Sequence, residues 1–100
     1  MPAEATQVLP GRPVLLSSET LADGGFRGVA LVDLPLNRAF DAIIRRTQAS
    51  GWSLEDRERE IGDAEMELTR DAQRLSLALS RSDIPGCVAT RVEMLFTPQE

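Results

Sequence analysis

The sequence predicts an α+β domain in which one amphipathic helix covers one face of a mostly antiparallel sheet of four to five strands, in the order β-α-β-β-β-β. Three observations carry that expectation. Leu36, Ala39, Phe40, Ile43, Ile44 and Thr47 recur at helical spacing on one stripe. After Trp52 the apolar residues alternate with period two instead, as in strands with one buried face. Short polar or glycine-bearing segments separate those runs, so consecutive strands turn back on one another.

Residues 1–13 contain three prolines, one glycine and little periodicity, which predicts an extended or mobile arm preceding a single domain over residues 14–97. Val14-Leu15-Leu16 is a short apolar run fit for an edge strand or the start of a docking segment. Asp23-Gly24-Gly25 marks a turn. From Phe26 to Leu34 the chain is apolar on both faces, which suits a strand covered by the helix on one side and by something else on the other. Asn37 is placed to cap a helix over roughly 38–49, with Arg38, Asp41, Arg45, Arg46 and Gln48 facing away from the stripe. Gly51 stops that helix, and Trp52 follows where a contact back onto the last turn is common.

Beyond Trp52, the alternating sets are Trp52 and Leu54, then Ala64, Met66 and Leu68, then Leu75, Leu77 and Leu79. Val88, Val92, Met94 and Phe96 form a last strand before Pro98. Gly62-Asp63, Asp71-Ala72-Gln73 and Asp83-Ile84-Pro85-Gly86 mark the turns.

Composition narrows the function. Among 100 residues there is no histidine, lysine or tyrosine, and Cys87 is the single cysteine. Those types supply most general bases, amine nucleophiles and transition-metal ligands, so the chain is expected not to be an enzyme and to need no metal or cofactor. Cys87, beside Val88 and Ala89, is expected to be a small core residue. A net charge of −5 disfavours nucleic acid, which demands a concentrated basic face. No apolar stretch is long enough to insert into a membrane. As the chain stands the expected compartment is cytoplasmic, or periplasmic if a leader has been removed.

The acids from Glu55 to Glu67 include no calcium-loop spacing, so a solvated hairpin with cross-strand ion pairs is expected there. An outward row of Glu55, Arg57, Arg59, Glu65 and Glu67 is the best patch for a polar partner. Arg45 and Arg46 form the only basic pair and the best anion contact.

Residues 34–62 resemble the small domains of lipoprotein C of the bacterial outer-membrane β-barrel assembly machinery. The matching residues are Leu34, Pro35, Leu36, Ala39, Phe40, Gly51, Trp52, Glu55, Asp56, Arg57, Arg59 and Gly62. The resemblance implies one helix packed on a sheet and no catalytic residues. Taken together, the leading expectation is a non-enzymatic interaction or accessory subunit that docks on a larger protein or self-associates, most simply as a homodimer. The alternatives are a small-ligand module with a groove between helix and sheet, lined by Phe40, Ile44 and Trp52, and a carboxylate-dependent enzyme using acids among Asp56, Glu58, Glu65 and Glu67.

Overall fold

The computed structural model describes residues 7–82, 86 and 88–98. Along the chain run β1 (Val14–Thr20), β2 (Phe26–Val32), α1 (Leu36–Ala49), β3 (Ser53–Glu60), β4 (Asp63–Arg70), β5 (Gln73–Arg81) and β6 (Thr90–Pro98). The fold is α+β, with the six strands in one antiparallel sheet ordered β1-β2-β6-β5-β4-β3. The sheet thus has six strands where four to five were expected. The addition is β1, whose seven residues are all exposed and so carry no inward-outward alternation.

Alternation along β2, β4, β5 and β6 gives the sheet one apolar face. Phe26, Ala30 and Val32 share it with Ala64, Met66 and Leu68, with Leu75, Leu77 and Leu79, and with Val92, Met94 and Phe96, all buried. Cross-strand register lines them into rows: Phe26 lies opposite Phe96 and Phe96 opposite Leu75, while Val92 lies between Ala30 and Leu79. Helix α1 links β2 to the far edge strand β3 and crosses this face, packing on β3, β4 and β5 through Leu36, Ala39, Phe40, Ile43 and Thr47. Burying side chains of this size contributes about 1.5–3 kcal/mol each for the larger ones.

Local chemistry sets the helix ends. Pro35, with φ −64° and ψ 157°, occupies the cap position, and its carbonyl accepts from the Ala39 amide at 2.8 Å. The helix therefore starts at Leu36, earlier than an Asn37 cap allows, and no side chain caps it. Proline fits there because the first amides of a helix lack partners in any case. At the other end Gly51 takes φ 81°, and the Trp52 amide donates to the Thr47 carbonyl at 3.1 Å, which turns the indole into the core.

The segment ahead of β1 is built into the fold. Val8 and Leu9 are buried in the same cluster as the helix and sheet residues, where the sequence pointed to an arm on which no packing depends. Hydrogen bonds hold it from outside: the Gln7 carbonyl accepts from Arg46 Nε at 3.1 Å, Gln7 Oε1 accepts from Arg70 Nη1 at 3.1 Å, and the Arg12 amide donates to Asp33 at 3.4 Å. Two further boundaries differ from expectation. The last strand begins at Thr90, leaving Val88 exposed ahead of it, and the β3–β4 turn is Ile61-Gly62, with Gly62 at φ 91°. Cys87 and most of the Asp83-Ile84-Pro85-Gly86 turn lie outside the described residues.

Candidate functional site

The face of the sheet turned away from α1 is uncovered among the described residues, and its chemistry is set by a bulge. Strict alternation from Leu54 would send Glu55, Arg57 and Arg59 outward, as the sequence predicts. The register of β3 against β4 instead shifts between Leu54 and Asp56, so that Asp56, not Glu55, lies opposite Glu67. One extra residue reverses the faces of everything beyond it. Asp56, Glu58 and Glu60 therefore point to the open face, while Arg57, opposite Met66, and Arg59, opposite Ala64, belong to the helix side.

The D-R-E-R-E alternation consequently sorts charge by sign. On the open face Asp56 lies opposite Glu67, Glu58 opposite Glu65, and Glu60 opposite Asp63. These are three successive like-charged pairs in place of the expected cross-strand ion pairs, and none of the six acids is in an ion pair among the described residues. Such directly opposed like charges are unfavourable, each by a few tenths of a kcal/mol up to about 1 kcal/mol. Across the sheet the face becomes less charged. Ser76, Ala78 and Leu95 lie in the middle, and Arg27 pairs with Glu19 at 3.8 Å near the β1 edge.

Asp56, Glu58, Glu65, Glu67 and Glu93 line a shallow open cavity of about 400 Å³, with Ala78 and Leu95 on its floor and Arg27 at its far end. Four of these carboxylates are exposed. Glu67 is half-buried; its Oε1 accepts from Ser76 Oγ at 2.8 Å, and its Oε2 is shielded without a hydrogen-bond partner. A carboxyl that acts as a general acid near neutral pH needs an apolar, shielded setting, and four of the five lack it. Among the described residues no three acidic side chains converge to hold a metal ion. The arrangement concentrates negative charge over an open area of the sheet.

The seven residues singled out in the sequence fall in three places. Glu65 and Glu67 are on the open face, and Glu55, at the bulge, reaches toward it to accept from Thr69 Oγ1 at 2.7 Å. Arg57 and Arg59 are on the helix side, where the Arg59 guanidinium sits 4.8 Å from the Phe40 ring centre and 3.6 Å from Asp41. Arg45 and Arg46 are on α1, with Arg46 engaged by Gln7. The row thus does not form one surface. Sequence reasoning passed over Asp56, Glu58, Glu60 and Asp63 as members of one acidic ladder, because only the bulge puts them on a common face.

The two rings expected to line a groove between helix and sheet are packed away, and the space between helix and sheet lies instead beside the start of α1, where Leu36, Asn37, Arg81 and Val88 line a cavity of about 510 Å³. Phe40 and Trp52 are buried, and each ring is roofed by a guanidinium, Arg59 over Phe40 and Arg70 over Trp52 at 4.5 Å. No helix among the described residues is long and apolar enough to cross a membrane. Comparison of the chain with family models, curated proteins and solved structures finds no match.

Proposed function

We propose that this chain is a non-catalytic interaction subunit that docks on a larger protein through the open face of its sheet, where it receives a basic segment of the partner. The observation that carries this reading is the acidic ladder of Asp56, Glu58 and Glu60 against Glu67, Glu65 and Asp63. A surface that holds like charges opposite one another is held at a cost to the isolated domain, and a cationic partner relieves it on contact. The apolar floor at Ala78 and Leu95 adds a non-polar component to an otherwise electrostatic contact. Concentrated negative potential also speeds encounter with basic partners and rejects acidic ones.

The test replaces Glu55, Glu58, Glu65 and Glu67 together with Gln and measures binding of a short alternating Arg-Ala peptide by fluorescence anisotropy. An alternating Glu-Ala peptide serves as control. Wild-type protein should bind the basic peptide with an affinity that falls as salt is raised, and the variant should bind at least about tenfold more weakly while keeping its circular dichroism. Equal binding by the two proteins, or equal binding of the two peptides, sinks the reading.

A further inference from the structure

We infer that the free edge of β1 is an interface with a second copy of this chain, joined antiparallel so that the two six-stranded sheets form one. The sheet has two edges, and they are built differently. Edge strand β3 carries Glu55, Asp56, Arg57, Glu58, Arg59 and Glu60 in succession and a bulge, which are the devices that keep an edge from pairing with another strand. Edge strand β1 also has a register shift, between Leu15 and Ser17, but it has none of those charges along its first five residues. Its single charge, Glu19, is engaged by Arg27 of its own sheet. Val14, Leu15 and Leu16 stand 56%, 45% and 55% exposed in an unbroken apolar run. A seven-residue edge strand with exposed leucines is a template for strand addition.

Charge placement selects a second copy as the occupant. With a net charge of −5, two copies meeting face to face would bring acidic ladders together. Joining at β1 does the opposite, because β1 and the β3–β4 ladder are at opposite ends of the strand order. In the paired sheet the two copies of β4 are about nine strand spacings apart, roughly 43 Å, well beyond the roughly 8 Å over which salt lets such charges interact. The two-fold axis of an antiparallel strand pair stands normal to the sheet, so both open faces end on the same side. This inference concerns the β1 edge alone and holds or falls independently of what the open face binds.

Sedimentation equilibrium on the wild-type chain at about 100 µM should give about twice the 11.0 kDa chain mass. Leu16→Lys, at an exposed position, should weaken dimerisation at least tenfold and leave circular dichroism unchanged, whereas Glu58→Gln should leave it as in wild type. Amide hydrogen exchange supplies a second readout without a variant: β1 amides should exchange about tenfold more slowly at about 200 µM than at about 5 µM. A monomer at 100 µM, a Leu16→Lys chain that dimerises like wild type, or β1 exchange independent of concentration overturns the inference.

Discussion

The Arg70 guanidinium lies 4.5 Å from the centre of the Trp52 ring, and the same group donates to Gln7 Oε1 and to the Ser50 carbonyl, both at 3.1 Å. One side chain from β4 thereby joins the end of α1, the buried indole and the segment that carries Val8 and Leu9 into the core. Arginine suits the role because its planar group stacks on an aromatic face while its edge still donates.

Replacing Arg70 with Ala is expected to cost about 1–3 kcal/mol, the sum of a partly desolvated cation–π contact and two hydrogen bonds. Arg70→Lys should recover less than half of that, since an ammonium reproduces the charge and not the fork. Arg74→Ala, at an exposed position on β5, should change stability by no more than about 0.5 kcal/mol. Urea unfolding of the three variants decides the matter: equal losses at Arg70 and Arg74 would show that the clasp contributes nothing.

Two buried threonines should respond in opposite senses to Thr→Val. Thr90 Oγ1 donates to the Leu34 carbonyl at 2.8 Å, tying the start of β6 to the residue just ahead of the Pro35 cap. Its loss leaves a carbonyl unsatisfied and should cost about 1–3 kcal/mol. The Thr47 hydroxyl is equally buried but has no partner, so Thr47→Val removes a desolvated polar group at constant shape. That change should be neutral or stabilising by up to about 1 kcal/mol. Thermal unfolding of both variants would refute this account if Thr47→Val proved the more damaging.

The acidic ladder predicts an unusual salt response. Screening weakens repulsion between exposed like charges, so raising salt from about 20 mM to about 500 mM should raise the melting temperature of the wild-type chain. Glu58→Lys, which turns the central pair with Glu65 into an attraction, should stabilise by about 0.5–1 kcal/mol and flatten the salt dependence. A parent that melts lower in high salt, together with a destabilised Glu58→Lys, would contradict the pairing described for β3 and β4.

The helix and most strands were legible because their side chains are sorted between core and water. The stripe from Leu36 to Thr47 and the alternation of Leu75, Leu77 and Leu79 are direct imprints of burial. Where burial does not vary along an element, periodicity carries no signal. Strand β1 is exposed throughout, and Val8 and Leu9 are two buried residues within a proline- and glycine-bearing stretch too short to show any period. The candidate surface was half legible for another reason. Its acids are evident in the sequence, but their common face depends on a one-residue bulge at Glu55, which no local pattern announces. A slip of one position moved Arg57 and Arg59 to the helix side and turned an apparently mixed row into a ladder of one sign.

The strand order has a consequence for how the chain acquires its structure. Strand β6, last of the six in sequence, is in the middle of the sheet between β2 and β5. Until residues from Thr90 onward have left the ribosome, the β1–β2 hairpin and the β3–β4–β5 meander share no hydrogen-bonded edge, and each leaves an apolar flank open to water. Residues as distant as Phe26 and Phe96 must then meet in register, a non-local closure that slows folding. The nascent chain is therefore most exposed to aggregation and chaperone capture just before synthesis of β6 is complete. A stop codon or cleavage between Arg81 and Thr90 would strand it there permanently, with its two halves unable to join.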